Sequence, residues 1–432
     1  MMKSAVDQEL AARAESGRPI QVALVGAGAT GRAIALQLAT SVPGIRLAAV
    51  VNRTRARAEQ AWTEAGLAGS VFAADGGALD EAVGRGTPAV VEDPAALYDS
   101  NTIEVVIEAT GTVEFGADVT QRSIAAGKHV VLVNAELDST LGPLLRARAR
   151  QAGVVYTNTD GDEPGVAMTL LRYLRSIGLR TVAAGNLKGM VDHHRTPETQ
   201  RAFAERYGQD ARKVTSFADA TKLSMEATVL ANASGFRVGR RGMFGPACAH
   251  VNEMATLLPP DAMLAGGLVD YALGAAPHTG AFVVVHEEQA AKRAHLAYYK
   301  MGDGPFYVFH TPYHLPHIQI ASTIARAALA SDPTVAPLGA PVCEVVTMAK
   351  RDLQAGEMLD GVGGFAAYGL IDNTREARRD EALPMGLSEG CRLVRAVAQD
   401  TLIRLADVER PAGRLADRLW EEQAVMWRSE GA

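Results

Sequence analysis

One stretch confines the first part of this chain to a narrow set of folds: IQVALVGAGATGRAIALQL, Ile20 to Leu38. An apolar β-type run breaks into three spaced glycines and then continues at helical spacing. In a strand–turn–helix setting the first glycine permits a tight turn, the second admits a pyrophosphate close to the backbone, and the third lets helix and strand pack closely. Gly26, Gly28 and Gly31 take those places. Ala29 and Thr30 join them in the first helical turn, whose free amides and positive dipole end suit a phosphate.

The pattern that follows supports this reading. From Ile20 to about Thr159, the Val/Ile-rich runs QVALVG, IRLAAVV, AVVED, IEVVIEAT, HVVLVN and GVVYTN alternate with helical stretches, several ending in Gly. This predicts β-α-β units around a doubly wound parallel sheet, a Rossmann-type domain. At the end of the second strand, an Asp or Glu about 20 residues after the glycines would hold a free ribose 2′-hydroxyl. The chain instead reads VVNRTRAR, with Asn52 neutral and Arg53 and Arg55 able to pair with a 2′-phosphate. NADPH is the expected cofactor. Thr110 and Gly111, in EATGTVEFG, are expected beside its nicotinamide ribose.

At 432 residues the chain exceeds one ordinary core. We expect three domains: residues 1–160 for the nucleotide, 161–336 as an α+β substrate and oligomerisation domain, and 337–432 as a small β-rich module. In the middle part TVAAGNL, GAFVVVH, LAYYKMG and FYVFHT read as strands, and TKLSMEATVLANAS and IASTIARAALA as helices. A net charge of −6 argues against a nucleic-acid partner. The three cysteines, Cys248, Cys343 and Cys391, lack any zinc or redox spacing. No apolar stretch reaches bilayer length and the N-terminus lacks a signal-type core, so a cytoplasmic protein without membrane contact is expected. A homodimer or homotetramer is the expected assembly.

A nicotinamide enzyme needs a proton donor or acceptor at the reacting oxygen, and four stretches offer one. TDGDEPG places Asp160, Asp162 and Glu163 after the last Rossmann strand, either as helix caps or as ligands for a hard divalent cation. AGNLKGM ends a strand with Lys188. DATKLSMEATVLANASG sets Asp219 three residues before Lys222 and Glu226 four after it, on a helix whose other residues are small or apolar. Burying that trio is costly unless it is used. FHTPYHLPH carries His310, Tyr313, His314 and His317, and its prolines exclude a helical His-x-x-x-His metal site. His310 and His314 are expected to hydrogen-bond the substrate.

GAGATG, GDEPG, TKLSMEATVLANASG, GLVDYALG, KMGDGPFYVFHTPYHL and APVCEVVTMAKRDLQAGEMLD occur in an order that resembles the homoserine dehydrogenase-like oxidoreductases with a C-terminal SAF (β-clip) module. Within that group the chain is most similar to the 1-deoxy-D-xylulose 5-phosphate reductoisomerase-like family. The resemblance implies NADPH, Mg2+ or Mn2+, and a sugar-phosphate substrate rearranged before reduction. It implies that Asp219 and Lys222 are the catalytic acid and lysine, that Lys188, Glu226 and the HTPYHL turn belong to the site, and that Asn134 lies at the cofactor. Asp162, Glu163 and Glu226 are the acids expected at a metal. Ala135 and Ala247 depart from the pattern, standing where relatives carry a lysine and an arginine. The expected function is NADPH-dependent reduction of a small polyhydroxylated carbonyl compound, a sugar phosphate or branched sugar. The alternatives are a simple polyol, sugar or homoserine-like dehydrogenase, or a non-catalytic NADP-binding scaffold.

Overall fold

The computed structural model describes residues 5–40 and 42–428. Its chain condenses into two units, residues 1–162 with 315–336, and residues 163–314 with 337–432. Two units rather than three follow from how the connecting segments are held.

In the first unit seven strands run parallel: β1 (Ile20–Val25), β2 (Ile45–Val51), β3 (Val71–Phe72), β4 (Ala89–Val91), β5 (Val105–Glu108), β6 (His129–Leu132) and β7 (Tyr156–Asn158). Their order is β3-β4-β2-β1-β5-β6-β7. Strand periodicity divides β1 between two cores: Ile20, Val22 and Leu24 pack with Ile34 and Leu38 on one face, Ala23 and Val25 with Leu79, Leu97 and Val119 on the other. The sheet is covered on both faces, as the unbroken apolar runs predicted. β3, two residues long, carried no readable signal.

Residues 315–336 return to this unit because the helix Ile320–Ala330 places Ile320 and Ile324 in the core of Ile20, Val22 and Ile107. Thr323 Oγ1 accepts from the Asp160 amide at 2.8 Å, and Asn158 N donates to Val335 O at 2.9 Å. Asp160, read beforehand as a possible ligand, is thereby a structural anchor, its Oδ2 accepting from Ser322 at 2.8 Å.

The same unit holds a buried acid. Asp138, on the helix Ala135–Gln151, accepts from Tyr156 Oη at 2.5 Å and Asn158 Nδ2 at 2.9 Å. Burial pushes its pKa up to about 6, against the pull of these two donors. An acid whose folded pKa is raised contributes stability that is complete below its unfolded pKa and is lost as pH rises through the folded one. Relative to Asp138→Asn, the wild type should gain about 1 kcal/mol of unfolding free energy between pH 7.5 and 5, measured by urea titration at each pH. A pH-independent difference would contradict this.

The second unit is built on a four-stranded sheet of order β11-β10-β8-β9: β8 (Arg180–Lys188), β9 (Leu268–Leu273), β10 (Ala281–His286) and β11 (Phe306–Thr311). β10 is antiparallel to both neighbours, and β9 is parallel to β8. The expected strand LAYYKMG is instead the end of a helix, Ala290–Tyr298, and the turn after it. The Ala, Lys and Arg residues just upstream favour helix strongly enough to carry Leu296, Ala297 and Tyr298 with them.

Residues 337–428 belong to this unit because the helix Thr221–Ser234 packs against the antiparallel pair β12 (Cys343–Ala349) and β13 (Ala367–Asn373). Asn232 Oδ1 accepts from the amides of Val342 (2.7 Å) and Cys343 (3.0 Å), and Gly369 N donates to Thr221 Oγ1 at 2.8 Å. The C-terminal segment also has its own apolar cluster around Leu353, Leu383, Leu393 and Ile403.

Candidate active site

The glycine turn of the first unit has the form a dinucleotide needs. Gly26 has φ +106°, and a Cβ there would lie 2.9 Å from Ala109 O. A Cβ on Gly31 would collide with Gly26 O, whereas the space beside Gly28 is open. The turn enters the helix Ala29–Thr40, so Ala29, Thr30 and Gly31 form its first turn. Ligands of such sheets bind outside the carboxyl ends of the strands where the order reverses, here between β1 and β5. The residues present therefore fit a nicotinamide dinucleotide.

The expected 2′-phosphate contacts are arranged less simply. Asn52 braces the turn, its Oδ1 accepting from Ala27 N at 3.4 Å and its Nδ2 donating to Thr54 O at 3.0 Å. Arg55 pairs with Glu59 at 2.8 Å and lies over the Phe72 ring, while Arg53 is exposed. Thr110 and Gly111 follow β5 in an accessible loop. Asn134 is buried and caps the helix Ala135–Gln151 by accepting from Leu137 N at 3.0 Å.

In the second unit the helix Glu163–Ser176, the helix Thr221–Ser234 and β8 bring three charges together. Lys188 Nζ donates to Glu163 Oε1 at 2.6 Å and to Glu226 Oε2 at 3.4 Å. Burial alone would lower the lysine's pKa, but the two carboxylates outweigh it and hold it above the ordinary value. Glu226 is pushed up to about 8, first by burial and then by the Glu163 charge, against the pull of Lys188. Asn186, two residues before Lys188 on the same strand face, sets its Nδ2 3.5 Å from Glu226 Oε2 and leaves its buried Oδ1 unpartnered.

The helix Thr221–Ser234 is buried at every position but one, and that one is Lys222. Its charge lowers the pKa of Glu226 one turn on. Asp219 does not complete the trio expected on this helix. Wholly buried, it accepts from Lys350 Nζ at Oδ2 (2.8 Å) and from the Thr221 amide at Oδ1 (2.9 Å). Lys350 also donates to the carbonyls of Arg195 and Gly364, both at 2.8 Å. The pair could not be foreseen from local spacing, because Lys350 lies far along the chain.

Of the expected metal ligands, Glu163 and Glu226 meet within the second unit, and Asp162 is the residue before Glu163, where the first unit ends. Yet the Lys188 ammonium already bridges the two glutamates, so this donor set is a poor fit for a divalent ion unless the lysine is displaced.

The histidines divide between places. Phe282 pairs with both Gly185 and His310, so His310 lies on the opposite sheet face from Asn186 and Lys188. Its ring meets His250 edge-on at 5.9 Å, and burial, aided by the charge of His250, lowers its pKa. His314 contacts Thr279 Oγ1 through Nδ1 at 2.9 Å. His310 and Lys188 therefore do not converge.

Residues 26–158 match the homoserine dehydrogenase NAD-binding domain, and residues 161–320 match the catalytic domain of oxidoreductase DRL. No curated protein matches. Among solved structures, a probable dehydrogenase from Thermotoga maritima is similar at 11% identity and TM-score 0.40, covering 74% of this chain and 90% of that one. GenD2 from gentamicin A biosynthesis, in complex with NAD, is similar at 14% identity and TM-score 0.37, covering 73% and 88%. Scyllo-inositol dehydrogenase from Lactobacillus casei, with NAD(H) and scyllo-inositol bound, is similar at 15% identity and TM-score 0.34, covering 62% and 73%. Among the described residues no helix is long and apolar enough to cross a membrane. From its two domain matches, the chain is an NAD(P)-dependent oxidoreductase that joins a nucleotide-binding domain of the homoserine dehydrogenase type to a catalytic domain of the DRL type.

Proposed function

We propose that the chain reduces the carbonyl group of a small polyhydroxylated substrate, a sugar phosphate or branched sugar, with NADPH. The observation that carries this reading is the cluster of half-buried Lys188 with buried Glu163, Glu226 and Asn186, inside the segment that matches an oxidoreductase catalytic domain. The glycine turn would hold the cofactor, whose chemistry when bound would be hydride donation. The chain's own residues then supply the proton and stabilise charge on oxygen.

Lys222 is the proton donor to the developing alkoxide. It stands where a buried helix first opens, one turn from Glu226. With a pKa of about 8, Glu226 holds a proton at neutral pH and can pass it toward Lys222 after each turnover. Lys188, locked between two carboxylates, contributes a fixed positive charge rather than a mobile proton.

Two forms of the reaction differ in what precedes reduction. A reductoisomerase rearranges the carbon skeleton first, and its relatives are expected to use a divalent ion. Direct reduction is favoured by one observation, the ammonium that already bridges Glu163 and Glu226. Oxidation of NADPH by the purified protein, followed by absorbance, separates them. The substrates are 1-deoxy-D-xylulose 5-phosphate and a panel of unphosphorylated and phosphorylated keto sugars, each with EDTA or with Mn2+. Direct reduction predicts turnover that EDTA leaves unchanged, whereas Mn2+-dependent turnover of the first compound establishes the reductoisomerase. Inactivity with every carbonyl compound under both conditions would overturn the proposed substrate class.

A further inference from the structure

Glu108 is the last residue of β5, paired with Val25 of β1 on one side and Leu132 of β6 on the other. It stands at the carboxyl edge where the strand order reverses, and it is fully buried. A carboxylate in that position is costly unless hydrogen bonds repay its lost hydration. Its bonds go to the segments that rim the nucleotide crevice. Oε1 accepts from the Thr110 amide at 2.9 Å and from the Thr110 hydroxyl; Oε2 accepts from Asn134 Nδ2 at 2.6 Å. Asn134 Nδ2 also donates to Thr112 O at 3.0 Å, while its Oδ1 caps the following helix. One side chain thus ties the loop after β5 to the helix start after β6.

We infer that Glu108 is the positioning residue for the nicotinamide half of the cofactor, fixing the Thr110–Gly111 loop against which that half is held. Glu108 itself stays beneath the loop and acts through Thr110 and Asn134. The adenosine half, held at the glycine turn and the end of β2, does not depend on it.

Glu108→Gln tests this division. The new carboxamide can still accept from Thr110 through its oxygen, but its amide hydrogens meet those of Asn134. Asn134 must then turn and surrender either the helix cap or its bond to the substituted side chain. Affinity for NADPH and NADH, measured by fluorescence titration of the full-length protein, should fall roughly 10-fold or more. Affinity for the adenosine fragments 2′,5′-ADP and ADP should stay within about 2-fold. Combining Glu108→Gln with Asn134→Asp restores donor-to-acceptor pairing between these two side chains and keeps the helix cap, although Thr112 O loses its donor, and should recover part of the dinucleotide affinity. If Glu108→Gln does not fold, Thr110→Val removes one donor to the carboxylate and should show the same selective loss. Equal losses for fragment and whole dinucleotide would reveal a merely structural brace and overturn the inference. So would undiminished NADPH and NADH binding, or a folded double variant without recovery.

Discussion

Lys222→Met should abolish turnover, lowering kcat by roughly 10²- to 10⁴-fold while the affinity for NADPH stays at the wild-type value. The argument rests on placement. Thirteen of the fourteen residues in the helix Thr221–Ser234 are buried, and the exception carries the amine. A lysine serving only solubility would have no reason to stand at the sole open position of that helix, one turn before an acid that keeps its proton at neutral pH. Methionine preserves the aliphatic stem, so packing is retained and the chemistry is tested by itself. Steady-state kinetics with a separate cofactor titration decides it: unchanged kcat removes Lys222 from the mechanism, and an equal loss of cofactor affinity shows a folding defect instead.

Lys188→Met should act on stability as much as on rate. The ammonium bridges two acidic side chains that are themselves buried, so its removal leaves them without a counter-charge and without water. Breaking one partner of a buried ion cluster costs about 3 kcal/mol or more, which urea unfolding near neutral pH would read directly. The cost should depend on pH. Glu226 already has a raised pKa, so its own contribution to stability is complete below its unfolded value of 4.5 and is lost as pH rises through about 8. Without Lys188, Glu226 favours its protonated form further, so the deficit should shrink toward pH 5 and widen above pH 8. Adding Glu226→Gln to Lys188→Met should recover part of the loss. A deficit of the same size at every pH would mean that lost packing, not charge, is responsible.

Periodicity made the nucleotide-binding domain legible. Strands buried on both faces need unbroken Val, Ile and Ala runs, and a glycine turn at the first of them leaves few alternatives. The short β3 escaped because two residues have no period, and β9 (Leu268–Leu273) because LVDYAL interrupts its apolar run with Asp270. Within the catalytic domain, local spacing correctly placed Lys222 and Glu226 one helical turn apart. It failed for Asp219, whose partner Lys350 is brought in by tertiary pairing alone. Glu108 had a readable signal that went unused: a lone acid closing an apolar strand immediately before Ala-Thr-Gly. Asn186 had none, since an asparagine two residues before a strand-end lysine looks like any other polar residue until the helix bearing Glu226 packs over it.

The buried pair of Asp219 and Lys350 bears on how this enzyme could be altered by recombination. Asp219 closely precedes the helix that carries Lys222 and Glu226, and Lys350 belongs to the segment after β12. The C-terminal part is therefore no detachable cargo. Exchanging it for that of a relative, or trimming it to obtain a minimal catalyst, would strip the counter-ion from an acid with no access to water and unseat the first turn of the helix that carries Lys222. A productive chimera must inherit Asp219, Lys350 and the carbonyls of Arg195 and Gly364 from a single parent.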